Sequence, residues 1–167
     1  MKYTEARPKI RSGDLIATSH GKSMFSSWRD FKIQMVRIFT KSEYSHVATA
    51  WVIGERVFVI EAVQPKVRIY PLSKILVESS GFYWVPMNAP WKESTLTLAL
   101  SCVGDPYSQL QAMEAYFQLP REDSLWECAE LARTIAKCDG VDLGFEATPA
   151  KIMHRAITRS GILHFVE

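Results

Sequence analysis

The chain has 167 residues, 47% of them hydrophobic, and its 20 basic and 18 acidic residues give a formal net charge of +2. A chain of this size can bury roughly two thirds of its unfolded surface in one core, so we expect a single domain over residues 1–167. No five charged residues of one sign follow one another, which argues against a nucleic-acid partner.

The three cysteines, Cys102, Cys128 and Cys138, are an odd number without a closely spaced pair. They therefore indicate neither a disulfide framework nor a thiolate zinc site, and we expect no metal and no cofactor. The first residues are charged and interrupted by Pro8, unlike a secretory signal, and no stretch approaches the ~18 continuous apolar residues of a membrane span. We expect a cytoplasmic protein without a transmembrane segment, released or delivered by another protein if it acts elsewhere. The sequence leaves the oligomeric state open.

The first predicted elements are a strand and an amphipathic helix. Residues 11–14 are typical of a turn, and the apolar run Leu15–Ala17 that follows predicts a short strand. Between Trp28 and Phe39, apolar residues recur at spacings of three to four, which predicts a helix. Packing of this helix on the core is favoured over a membrane-surface or lid position.

A β-hairpin follows. Ser45–Ile53 and Arg56–Val63 are rich in β-branched and aromatic residues, and Gly54-Glu55 between them suits a tight turn. Val67–Leu72 and Gly81–Met87 predict two more strands. Together these segments predict a small antiparallel sheet or barrel.

The second half of the chain has helical patterns. The predicted helices are Trp91–Cys102, Ser108–Phe117, Ser124–Lys137 and a last one from Pro149 to about Thr158. A terminal strand is expected within Ile162–Val166. A strand-rich half followed by a helical half predicts an α+β fold in which a small sheet or barrel packs against helices.

The predicted hairpin brings a histidine and a glutamate together. A two-residue turn at Gly54-Glu55 places Ala48 opposite Glu61. His46 shares the sheet face of Ala48, so Glu61 is its diagonal neighbour, roughly 7 Å away between backbones. A three- or five-residue loop would instead turn Glu61 to the other face. The alternative for each residue alone is a structural histidine and a glutamate that ends a strand at solvent.

Cys128 has the setting of a nucleophile. Ser124 and Glu127 have the spacing of a capping box, which places Cys128 in the first turn of a helix. The free amides and the positive end of the helix dipole there stabilise a thiolate, and the same amides can receive an oxyanion. A small buried core residue is the alternative for a lone cysteine among Leu125, Ala129 and similar neighbours. Cys102 and Cys138 follow helices and lack this setting.

The order of several short segments resembles the NlpC-type papain-like superfamily. More narrowly, it resembles the circularly permuted YiiX-like branch, related to lecithin retinol acyltransferase, in which the histidine precedes the cysteine. The segments are Gly13-Asp14-Leu15-Ile16, Tyr44-Ser45-His46-Val47, Ile60-Glu61-Ala62, Pro71-Leu72, Gly104-Asp105-Pro106-Tyr107, Cys128-Ala129-Glu130-Leu131 and Thr148-Pro149.

This resemblance implies a permuted papain-like fold with Cys128 as nucleophile, His46 as general base and Glu61 as the polar third residue. It also implies that Tyr44, beside the histidine, assists the oxyanion site. Two positions depart from the family: an aspartate is usual where this chain has Ser108, and a serine where it has Ala129.

Two further residues are candidates for the walls of the site. Trp126 lies two residues before the thiol and is either a cleft wall or a core residue. His20, in a polar loop, is either a cleft residue or simply exposed.

These residues together predict a cysteine hydrolase that acts on amide bonds in peptide or acyl-amide substrates, with cell-wall peptides as the leading class. An acyl-chain hydrolase or acyltransferase using the same residues, and a non-catalytic module of a larger assembly, remain the alternatives.

Overall fold

The computed structural model describes residues 1–19, 44–107, 127–145 and 148–167. Their centre is a six-stranded antiparallel sheet with the order β4-β3-β2-β1-β5-β6. The strands are β1 (Leu15–Thr18), β2 (His46–Ile53), β3 (Arg56–Val63), β4 (Lys66–Pro71), β5 (Phe82–Val85) and β6 (His164–Val166). The sheet is open, so of the two predicted forms the sheet is correct and the barrel is wrong.

The predicted hairpin register is confirmed for the pairs from Ile53 opposite Arg56 to Thr49 opposite Ile60. Gly54 has a positive φ of 58°, a backbone conformation that glycine adopts without steric cost. The turn therefore has the two residues that the prediction requires.

Five helices are present in the part of the chain that the structure describes. They are α1 (Tyr3–Ala6), α2 (Leu72–Ser79), α3 (Glu93–Ser101), α4 (Cys128–Cys138) and α5 (Pro149–Ser160). The α+β class is confirmed. The predicted helices over 28–39 and 108–117 lie outside the described residues. Among the described helices, none has the length and apolar character needed to cross a membrane.

Helix α2 was not predicted. The predicted strand over Val67–Leu72, ended by proline, is present as β4 and ends at Pro71. The sequence reasoning did not foresee that Pro71 is also the N-cap of a helix. Leu72 and Ile75, three residues apart, are buried on the sheet side of this helix. Proline is favourable at such a boundary because it has no amide hydrogen to donate to the continuing strand.

The start of α4 differs from the prediction. Glu127 is the N-cap with extended angles, φ −105° and ψ 162°, and Cys128 is the first helical residue. A capping box needs its glutamate at the third helical position, so that prediction is wrong. Cys128 is nevertheless in the first turn, as expected. At α5, Thr148 accepts a hydrogen bond from the Lys151 amide and Pro149 follows as predicted.

The two faces of the sheet pack against different helices. Alternating residues of β1 show this: Leu15 and Ala17 join α4 and α5 in one core cluster, whereas Ile16 joins α2 in another. Helix α3 packs on the α4 side through Ala99, which clusters with Leu131 of α4. Cys128 and Val47 belong to the same cluster, so the start of α4 lies beside the start of β2.

Candidate active site

His46 and Glu61 form the hydrogen-bonded pair that the hairpin register predicts. His46 is the first residue of β2, and its Nε2 lies 2.7 Å from Oε2 of Glu61 on β3. Glu61 is only 2% exposed. A carboxylate buried to this extent needs charged or hydrogen-bonding partners, and the imidazole is one of them. The contact also fixes the orientation of the ring.

Arg68 is the second partner of Glu61 and was missed in the sequence. It faces Glu61 directly across the β3–β4 pair. Its Nε donates a hydrogen bond of 2.8 Å to Oε1, and its Nη2 lies 2.8 Å from the same oxygen. The two carboxylate oxygens thus have different partners, Arg68 on one and His46 on the other.

Cys128 completes the arrangement from α4. Its side chain is buried in the core cluster, and it lies close enough to His46 to raise the pKa of the imidazole. Since Nε2 of His46 is bonded to Glu61, Nδ1 is the ring nitrogen left for the sulfur. The three residues predicted to act together are therefore neighbours: a thiol, an imidazole and a buried carboxylate.

The surroundings of His46 favour its cationic form. Burial alone would lower the pKa of the imidazole, but hydrogen bonds to Cys128 and Glu61 and the negative charges of both outweigh burial and raise the pKa to about 10. At neutral pH the ring is therefore protonated and carries a positive charge next to the sulfur.

Glu61 is held in its ionised form. Burial acts to raise the pKa of this carboxyl group, but the hydrogen bonds and positive charges of His46 and Arg68 lower it further than burial raises it. The ionised Glu61 therefore places a negative charge next to the His46 ring. A third residue that stabilises an imidazolium is expected to carry such a charge.

Tyr107 is a second residue near the site that the sequence reasoning did not select. Its amide donates to the carbonyl of Pro65, which fixes this segment beside β4. Its ring packs on the cluster that includes Leu131 of α4. Burial raises the pKa of its phenol, and the negative charges of Cys128 and Glu127 raise it further. Tyr107 thus keeps its phenol proton at ordinary pH values.

The other predicted site residues have different outcomes. Tyr44 packs against the core cluster of Cys128, and its ring meets that of Tyr83 edge-on at a centroid distance of 5.1 Å. Its proposed part at the oxyanion site stays a prediction. Trp126 and His20 lie outside the described residues. Ala129, one of the two departures from the family pattern, is fully buried on the side of α4 that packs on the sheet.

The other two cysteines have different surroundings. Cys102 is buried, and burial together with the charge of Asp105 raises the pKa of its thiol. Cys138 is the last residue of the helix that Cys128 begins, at the end away from the free helix amides. Both are therefore suitable internal references for the reactivity of Cys128.

No protein-family model matches the sequence, and no curated protein matches it at a significant level. Among solved structures, the chain is similar to the crystal structure of the metalloprotein YiiX from Escherichia coli O157:H7, with a TM-score of 0.58. The fold is YiiX-like. The similarity covers 90% of this chain and 82% of that one at 18% sequence identity, and at this identity it concerns the fold alone. Membership of the wider papain-like superfamily stays a prediction.

The metal named for YiiX has no counterpart among the described side chains here. In residues 1–19, 44–107, 127–145 and 148–167, no group of three or more His, Cys, Asp or Glu side chains is arranged to hold a metal ion. The Nε2 of His46 is already bonded to Glu61. The described part of this site does not fit a metal.

Proposed function

We propose that the protein is a cysteine hydrolase that cleaves amide bonds, with Cys128 as nucleophile, His46 as general acid and base, and Glu61 as the residue that orients the ring. One observation carries the proposal: a buried carboxylate is hydrogen-bonded to an imidazole, and a thiol at the first position of a helix lies close enough to that imidazole to raise its pKa. The raised pKa of His46 supports it, because the ring is cationic at neutral pH.

The proposed reaction has two steps. The Cys128 thiolate attacks the carbonyl carbon and forms a carbon–sulfur bond, and the carbon–nitrogen bond then breaks while the protonated His46 gives its proton to the departing amine. In the second step, water gives a proton to His46 and attacks the thioester. The acid product leaves, and the sulfur returns to its starting state. Glu61 remains ionised and stabilises the imidazolium in both steps.

The oxyanion formed in each step needs hydrogen-bond donors. Backbone amides at the start of α4 have no partner within the helix, and they point out of its amino end, where Cys128 lies. Tyr44, which packs against the same cluster, is the proposed side-chain donor. This geometry favours chemistry at a carbonyl carbon, since the developing charge would lie beside the helix amino end.

Reactivity of the thiols is the first test. The intact protein is treated at neutral pH with iodoacetamide, and the labelled positions are mapped by mass spectrometry. We expect Cys128 to react at least about tenfold faster than Cys102 and Cys138. His46→Ala should abolish this preference, while circular dichroism shows an unchanged fold. Equal rates at the three cysteines would contradict the proposal.

Turnover is the second part of that test. Cell-wall peptides with an amide bond and matched acyl esters are offered to the wild-type protein and to Cys128→Ala and His46→Ala. We expect amide hydrolysis, no turnover by Cys128→Ala, and a loss of about 10²–10⁴-fold for His46→Ala. If only the acyl esters are hydrolysed or transferred, the substrate class is an acyl chain and not a peptide amide. Hydrolysis by Cys128→Ala at the wild-type rate would exclude the mechanism.

A further inference from the structure

Arg68 binds the Glu61 carboxylate, which in turn is hydrogen-bonded to His46. Its guanidinium contributes two nitrogens, both 2.8 Å from Oε1 of Glu61. The guanidinium carbon also lies 4.0 Å from the ring centroid of Tyr70, two residues further along β4. Arginine over an aromatic face is stabilised by cation–π attraction. The guanidinium is therefore held from two sides, by Glu61 and by the Tyr70 ring.

The ring below Arg68 is itself fixed. The Tyr70 hydroxyl donates a hydrogen bond of 2.6 Å to Glu78 on α2, and Lys74 of the same helix lies 5.7 Å from the ring centroid. The series therefore runs from α2 through Tyr70 and Arg68 to Glu61. It ends at His46 and Cys128, and it links a surface helix to the proposed nucleophile.

We propose that Arg68 is a positioning residue of this site: it binds Oε1 of Glu61 so that Oε2 stays on His46, and its charge keeps the carboxylate ionised in mildly acidic solution. The inference rests on the proposed function of Cys128 and His46. Arg68 donates its hydrogen bond to Glu61, and Glu61 in turn binds His46, so the effect of Arg68 passes through Glu61.

The charges acting on Glu61 make the sign of the effect clear. From β2, His46 lowers the pKa of the carboxyl group, and from β4, Arg68 lowers it as well, against burial, which raises it. Without Arg68, burial is opposed by His46 alone, so Glu61 takes up a proton at a higher pH. A neutral Glu61 no longer stabilises the imidazolium beside Cys128, so alkylation of Cys128 should slow.

The test is the pH dependence of Cys128 alkylation by iodoacetamide, measured from pH 4 to 9 in the intact protein. We expect Arg68→Met to move the acid limb of the profile upward by about 1–3 pH units. Arg68→Lys keeps the charge but loses the two-nitrogen contact and the stacking on Tyr70, so we expect it to move the limb less than Arg68→Met does. Lys66→Met removes an exposed charge from the same strand and is the matched control, with no expected shift.

A double variant separates an effect through Glu61 from a general loss of structure. In the Glu61→Gln background, Arg68→Met should cause little further change, because the carboxylate through which it acts is gone. If Arg68→Met does not fold, Arg68→Gln takes its place, and a limb at the wild-type position in that variant would overturn the proposal.

Two outcomes distinguish this inference from the proposed function. Superimposable profiles for Arg68→Met and wild type, in a protein whose Cys128 reactivity still requires His46, would overturn the role of Arg68 alone. Cys128 reactivity that does not depend on His46 would instead overturn the proposed function. The alkylation assay needs no substrate, so both results can be obtained before the natural substrate is identified.

Discussion

Protonation of His46 links the candidate site to the stability of the fold. The folded-state pKa of this histidine is about 10, above its ordinary value of 6.5. Folding is therefore stabilised by the proton on His46 below pH 6.5, and this stabilisation is lost as the pH rises through 10. Glu61 has the opposite dependence: its lowered pKa stabilises the fold above the ordinary value of 4.5, and the effect is lost as the pH falls.

A substitution at His46 should remove the loss of folding stability that occurs as the pH rises toward 10. We expect wild type to be more stable than His46→Gln at pH 6.5, by an amount on the order of a few kcal/mol, since one pKa unit is about 1.4 kcal/mol. The difference should shrink toward zero near pH 10. Urea denaturation of both proteins at the two pH values measures it. A difference independent of pH would show that the imidazole gains no proton affinity on folding.

The sequence could predict the His46–Glu61 pair because two residues of turn fix the hairpin register. The same reasoning could have predicted the contact between Arg68 and Glu61. A two-residue turn at Gln64-Pro65 pairs Val63 with Lys66, and Glu61 then lies opposite Arg68. Tyr107 was not, because its position depends on how a segment after α3 adds to the edge of β4. That docking is a tertiary contact without a local pattern.

At the scale of elements, α4 approaches the sheet through small side chains. Ala129, Ala132 and Ala136 are buried in the cluster that contains Val47 of β2. Small residues at a packed surface allow a helix to come close to its neighbour. The distance between α4 and β2 decides whether a thiol at the start of the helix can meet a histidine at the start of the strand.

A larger residue at Ala132 should therefore affect both stability and the site. We expect Ala132→Leu to lower the free energy of unfolding by about 1–3 kcal/mol through overpacking and to slow Cys128 alkylation, as α4 moves away from β2. Lys137→Leu, on the exposed side of the same helix, is the control and should do neither. Loss of stability at wild-type alkylation rates would indicate that the sulfur and the imidazole stay together when the helix shifts.

Elements with strong local patterns were predicted and those set by tertiary context were not. The hairpin and α5 have turn or capping residues of their own, and both were found. The start of α4 was placed too early because Ser124 and Glu127 match a capping box in spacing, whereas Glu127 is itself the N-cap. The α2 helix was not predicted because Pro71 was interpreted only as the end of a strand, whereas it is also the N-cap of the helix that follows.

At the scale of the whole molecule, the order of strands joins segments that are distant in the chain. Strand β1 lies between β2 and β5, and a single carboxylate just before β1 supports this junction. Oδ1 of Asp14 accepts a hydrogen bond of 2.9 Å from the Met87 amide. Oδ2 accepts one of 2.8 Å from the Trp84 indole and one of 2.9 Å from the Arg11 amide. Sequence alone indicated only a turn at this position.

Asp14→Asn should weaken the whole fold, because its amide group replaces one acceptor oxygen with a donor that faces donors. We expect a loss of about 1–3 kcal/mol in the free energy of unfolding, the cost of leaving a buried polar group without its hydrogen bond. Asp142→Asn is the matched control: Asp142 is exposed and accepts from the Gly144 amide through Oδ1, a bond that asparagine can keep. Its effect should stay within about 0.5 kcal/mol. Urea denaturation followed by circular dichroism compares the variants, and equal losses for both would mean that the junction between β1 and β5 is held by the strand pairing without help from Asp14.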